Sequence, residues 1–210
     1  MRKIIVSILV ALSLNACAMV KDEVDLAYKT QGTPAVIGGA EAVKVKVTVS
    51  DGRASNQDRI GVKKNGYGME MAAIVSKQDI PSVVAQGLES ELKARGFSLG
   101  TGSVFLLADV NKFYNDFKTG MFSGQAVGEV MLNVQIMNAS GRQFYGRSYI
   151  GEHTVPGIMM ASGTNAKEAV EGALGNALSK MMDDQYLIQA LIEAGRSSSG
   201  PTAAAGKPTS

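Results

Sequence analysis

From Val43 to Ser50 apolar and polar residues alternate without a break. Val43, Val45, Val47 and Val49 fall on one side, and Lys44, Lys46 and Thr48 on the other. A period of two is the mark of a strand with one face on a core. The same alternation returns between Glu129 and Met137, where Val130, Leu132, Val134 and Ile136 share a side and Asn133 and Gln135 oppose them. Val104 to Tyr114 has few polar breaks and reads as a central strand. Punctuation indicates how the strands connect. Asn65-Gly66 predicts a hairpin joining Ile60–Lys64 to Tyr67–Val75. Asn138-Ala139-Ser140-Gly141 turns the chain back into Gln143–Glu152. The spaced glycines Gly120, Gly124 and Gly128 read as a turn or bulge.

Two stretches change to the helical period. In Asp79–Arg95, Ile80, Val84, Leu88 and Leu92 recur every fourth residue with Val83 alongside. Asp79 can cap this helix, Pro81 is tolerated in its first turn, and Gly96 stops it. A second helix is predicted over Ala166–Met182, burying Val170, Ala173, Leu174, Ala177, Leu178 and Met181. Asn165 and Glu168 ahead of it have capping-box spacing. Tyr186–Ala194 reads as a short last helix. The expected fold is therefore α+β: a two-layer sandwich with an antiparallel or mixed sheet and two main helices packed on one face.

This fold must stand on its hydrophobic core, because the 210-residue chain has one cysteine and no intrachain disulfide can form. That cysteine lies in a telling place. Arg2 and Lys3 precede an apolar run, Ile4–Leu14, which is too short to span a bilayer and has the form of a secretory signal. Leu14-Asn15-Ala16-Cys17 resembles the bacterial lipobox. The resemblance implies cleavage between Ala16 and Cys17 and acyl chains on Cys17. Ala18 in the next position implies the outer membrane, facing the periplasm of a Gram-negative bacterium. The expected organisation is a signal peptide over 1–16, a lipidated N-terminus and tether over 17–41, a single domain over 42–195 and a disordered tail over 196–210. Part of the tether, Val24–Tyr28, could pair as an edge strand.

Little in the sequence speaks of catalysis. His153 is the only histidine, and there is no tryptophan. A Ser-His-Asp or Cys-His site would have to use His153, with Cys17 committed to lipid. A zinc site needs several Cys or His ligands. No catalytic residue, metal ligand or cofactor is expected. Asp183-Asp184 marks a helix end. Asp51 and Arg53 read as an ordinary turn, with Arg53 able to pair with Asp58. Without Arg2 and Lys3 the chain holds 19 Lys and Arg against 19 Asp and Glu, so nucleic acid is not an expected partner. The expected partners are the membrane, through the acyl chains, and an unknown envelope protein or small ligand. Methionines either fill the core or serve an adaptable surface. Ile158, Met159 and Met160, in an apolar loop over Val155–Gly163, are the candidate contact surface.

With these residues in place the chain resembles the YajG-type lipoproteins of Gram-negative bacteria. The resemblance rests on the lipobox, on Val47-Thr48-Val49-Ser50-Asp51-Gly52-Arg53, on Ile60-Gly61, and on the helix closing with Leu92-Lys93-Ala94-Arg95-Gly96-Phe97. The late helix with Ala177-Leu178 and Met181 also fits. It implies a location and a fold and almost no mechanism. Two functions remain open: a non-catalytic envelope interaction or assembly accessory, and a binding module for a small apolar or amphipathic ligand such as a lipid or cell-wall fragment. A deep apolar pocket between sheet and helices favours the ligand; a filled core with apolar side chains outside favours the accessory.

Overall fold

The structure is a computed structural model and describes residues 20–30, 32–118, 120 and 123–198. The lipobox residues Ala16 and Cys17, and the tail from residue 199 onward, lie outside the described residues.

Strands β6 (Val104–Lys118), β7 (Gly124–Asn138) and β8 (Gln143–Ile158) form a long antiparallel meander. Two strands lie end to end along the free edge of β6. β2 (Lys44–Asp51) runs parallel to its first half, from Val45 beside Val104 to Asp51 beside Val110. β3 (Gly61–Lys64) meets its second half, with Gly61 beside Asn115. A bulge in β6 between Val110 and Lys112 falls where one neighbour ends and the next begins. β4 (Glu70–Ser76) pairs with β3, β1 (Asp22–Val24) adds a parallel strand outside β4, and the short β5 (Ser98–Leu99) lies outside β2. The eight-stranded sheet is therefore mixed.

Among the described residues three helices cover one face: α1 (Ile80–Ala94), α2 (Gly163–Met182) and α3 (Gln185–Ser198). Asp79 caps α1 through the Ser82 N–H, and Gly96 continues beyond its end at φ +93°. The predicted stripe of α1 is buried. α2 lies on β7 and β8 so closely that the sheet needs glycine beneath it. A Cβ on Gly128 would come 2.1 Å from the Ala169 carbonyl oxygen, and one on Gly151 would come 2.0 Å from that of Ala173. Between sheet and helices the space is filled by Leu88, Leu92, Leu106, Leu132, Ile136, Leu174, Leu178 and Met181, all essentially without solvent contact.

Several expectations are corrected. The helical layer has three members rather than two, because Leu187, Ala190, Leu191 and Ala194 give α3 its own buried stripe. α3 runs to Ser198, so residues 196–198 belong to the helix instead of a tail. Gly124 starts β7 at a register shift against β8, in keeping with the bulge reading, whereas Gly128 lies inside β7 and admits α2 rather than making a turn or bulge. The α2 cap is Ser162, whose Oγ accepts from the Asn165 N–H, so the helix starts before Asn165. β8 continues through Val155 to Ile158, leaving a shorter loop than Val155–Gly163. Val47 is half-buried; Val45 is the wholly buried member of β2.

The segment expected as a tether is docked from Asp22 onward. Val24 and Leu26 are buried. The Tyr28 hydroxyl donates to Glu91 of α1, and the Ala27 N–H to Glu171 of α2. Glu91 is itself buried and paired with Arg95, which meets the cost of a charge in the core. A short 3₁₀ turn, Ala40–Ala42, then leads into β2.

Candidate functional site

One end of the sheet gathers four chain segments that are far apart in sequence. They are the start of β1, the loop after β3, the end of β6, and the link from β8 to α2. Together they surround an open groove of about 540 Å³. Met71, Phe117, Ile158, Met159 and Met160 form its apolar lining, with Lys63, Lys64 and Lys118 on its rim. Asp22 is the fixed point. Its carboxylate takes the Lys63 ammonium at 2.7 Å on one oxygen and the Gly163 N–H at 2.8 Å on the other. One side chain thereby ties the N-terminal strand to β3 and to the positive end of α2. Lys64 pairs with Asp116 on β6, so two of the three rim lysines, Lys63 and Lys64, have carboxylates beside them.

Of the expected contact residues, Met159 is 87% exposed and Met160 73%. Ile158 differs: it ends β8, is half-buried and packs against the core. Alternation along β8 turns the odd-numbered residues inward, and a register shift that skips Gly157, at φ +71°, brings Ile158 onto that side. The sequence reading missed two more exposed residues at this end. Tyr67 and Met69 project from the loop between β3 and β4, where the Asn65 side chain accepts from the N–H groups of both.

Asp51 and Arg53 have a structural task, with a different partner than expected. Arg53 is 5% exposed and its guanidinium pairs with Asp51 at 2.7 Å, while Asp58 pairs with Arg59. The remaining Arg53 donors reach the carbonyls of Asn56, Gln57 and Arg59. The side chain thus folds the loop that bridges β2 and β3. Arg53 holds the Asp51 carboxyl below its ordinary range, outweighing the opposite effect of burial.

Asp184 has a comparable role at the other side of the helical layer. It accepts hydrogen bonds from Tyr145, Tyr149 and Arg147 on β8. Burial alone would raise its carboxyl, but these donors outweigh that and bring it down to about 2. Burial, then hydrogen bonding, pushes the Tyr149 phenol well above its usual range. The alternating Tyr145-x-Arg147-x-Tyr149 was the available signal, since residues two apart on a strand share a face. The adjacent Asp183 caps α2, so the pair does mark a helix end. His153 lies on the helix-facing side of β8 against Gly172. Among the described residues no three His, Cys, Asp or Glu side chains form a group that could hold a metal. Among them, too, no helix is long and apolar enough to cross a membrane.

The architecture, helices on one face of an open mixed sheet, is similar to that of solved bacterial proteins. A Xanthomonas campestris crystal structure is matched with a TM-score of 0.56 at 13% identity, over 84% of this chain and 98% of that one. A minor lipoprotein from Acinetobacter baumannii is matched at 0.43 and 9% identity, over 70% and 93%. No curated protein matches the sequence. A family model described as uncharacterized lipoprotein matches residues 33–192. The chain belongs to that lipoprotein family, and the YajG-type resemblance agrees with it.

Proposed function

We propose that this is a non-catalytic lipoprotein, held by acyl chains on Cys17 at the periplasmic face of the outer membrane, that works as an interaction or assembly accessory of the envelope. The observation that carries the reading is where the apolar side chains lie. The space between sheet and helices is filled, while the outer face of the sheet carries no helix among the described residues and holds half-exposed Phe105, Leu107, Met131 and Met137. Phe105 stands opposite Met137, with Leu107 two residues along, in a patch crossed by Lys46, Gln135 and Asp109. Mixed apolar and polar surface of this kind suits a protein contact that forms and separates. A photo-reactive residue at Leu107 should capture one defined envelope protein in intact cells, and Cys17→Ala should abolish the capture by releasing the chain from the membrane. No adduct from a variant of unchanged stability would refute the reading.

The groove supports a second reading, a small apolar or amphipathic ligand. Its volume and its apolar lining lie within the range of ligand sites. It opens at the end of the sheet, however, and not between sheet and helices. Native mass spectrometry of protein taken directly from membranes would reveal a retained ligand as a discrete added mass.

A further inference from the structure

We propose that the groove end of the domain rests on the bilayer that holds the anchor, with Tyr67, Met69, Met159 and Met160 set into the lipid interface. This rests on lipidation at Cys17 and adds an orientation and a second membrane contact to it.

The first support is where exposed apolar residues are concentrated. Tyr67 is 92% exposed, Met69 58%, Met159 87%, Met160 73% and Val20 59%. All five belong to the segments around the groove: the loop after β3, the link from β8 to α2, and the approach to β1. The other large exposed apolar residues, Val36, Ile150 and Tyr186, lie outside the groove, Ile150 and Tyr186 beside a separate cleft at Asp184. Tyrosine and methionine suit the site. A phenol places an apolar ring and a polar tip across the headgroup boundary, and flexible thioethers adapt to a fluid surface.

The second support is the length of chain to the anchor. Asp22 is held by Lys63, by the Gly163 N–H and by the pairing of β1 with β4. Cys17 precedes it by five residues, which span at most about 17 Å when fully extended. β7 alone extends roughly 45 Å from Gly124 to Asn138 at about 3.3 Å per residue. The lipid therefore reaches the groove end and keeps it at the headgroups, while the turn between β7 and β8 lies at the far end of the meander. Acyl chains and exposed side chains then act as two linked attachments, and the second costs little once the first is made.

The charges say what kind of contact this is. Lys21 is paired with Glu23, Lys63 with Asp22 and Lys64 with Asp116. Lys118 is the one rim lysine outside these pairs, and with carboxylates beside the other three the end has no strong one-sided basic field to draw it to anionic lipid. The contact is apolar, so it does not depend on lipid charge or salt.

The test uses the full-length lipidated protein in phosphatidylcholine vesicles that contain a spin-labelled lipid as quencher. The only native cysteine is acylated, so an introduced thiol takes a fluorophore uniquely. Labels are placed by Met159→Cys, by Tyr67→Cys and, in the turn at the far end, by Ala139→Cys. Quenching at 159 and 67 should exceed that at 139 several-fold, and should persist with added phosphatidylglycerol and at high salt. Equal quenching at the three positions, or quenching that needs anionic lipid, overturns the proposal. Flotation of the same sample reads the anchor separately. Protein that fails to float refutes lipidation and this orientation together; protein that floats with position 159 unquenched refutes the orientation alone. Shielding of position 159 in native envelopes but not in vesicles gives the surface to a protein partner and also overturns it. All three positions are exposed, so melting temperatures should match that of the parent.

Discussion

Gly151→Ala should destabilise the domain far more than a single methyl group ordinarily does. The new Cβ would sit 2.0 Å from the Ala173 carbonyl oxygen, 2.4 Å from the Ala177 nitrogen and 2.9 Å from the Ala177 Cβ. Real Cβ contacts begin near 3.0 Å, so α2 or β8 must move by about 1 Å. Two of the three obstacles are backbone, and no rotamer change relieves them. Ala169, Ala173 and Ala177 are all without solvent exposure, so the shift opens a packed seam along the helix. Overpacking of a core costs about 1–3 kcal/mol, and a backbone obstacle belongs at the upper end. The gain from replacing glycine in a strand returns less than about 1 kcal/mol. A net loss of roughly 2–3 kcal/mol corresponds to a fall in melting temperature of about 5–10 °C for a domain of this size. The control is Gly66→Ala, where nothing lies within 4 Å of the new Cβ. Urea unfolding followed by circular dichroism measures both. If Gly151→Ala unfolds at the same urea concentration as Gly66→Ala, α2 does not lie on β8 as described.

Three further perturbations test other parts of the fold. Val45→Asp should prevent folding while Lys46→Asp leaves the melting temperature within a few degrees, since Val45 has no exposed surface and Lys46 faces solvent; similar melting curves would mean the faces of β2 are reversed. Arg53→Ala should cost about 2–4 kcal/mol by urea unfolding, because it strands Asp51 and three loop carbonyls, and Arg53→Lys should recover little, since a single ammonium cannot reach them all. Asp184 sets an acid limb: its folded carboxyl titrates near 2, below its ordinary 3.8, so its contribution is complete above about pH 4 and is lost as pH falls through about 2. Asp184→Asn should be less stable at pH 7 and show less loss over that acid range than the parent; parallel pH profiles would exclude the network.

Local signals were legible in the sequence where a residue acts on its near neighbours. The stripe of α1 with its Asp79 cap, the alternation in β2 and β7, and the hairpin after Lys64 all depend on contacts within a few positions. The parallel pairing of β2 with β6 does not. Val45 and Val104 are joined through three strands and a helix, and no periodicity in either segment names the other. Gly128 looked like punctuation because its use depends on Ala169, far along the chain. For Asp22–Tyr28 the sequence offered an edge strand over Val24–Tyr28, and the strand that forms is Asp22–Val24; its distant partners Lys63, Glu91, Gly163 and Glu171 were hidden for the same reason. At the candidate site the exposed Met159 and Met160 could be read from composition. Tyr67 and Met69 could not, because only the folded hairpin brings their loop beside the link from β8 to α2.

Attachment to the membrane depends on Cys17. Intact mass analysis of the chain extracted from outer membranes tests it most directly. The predicted result is a mature chain that begins at Cys17 and carries three acyl chains, found in the outer-membrane fraction and lost from it in Cys17→Ala. A chain that begins elsewhere, or a Cys17 thiol without lipid on a protein still bound to that membrane, would contradict it.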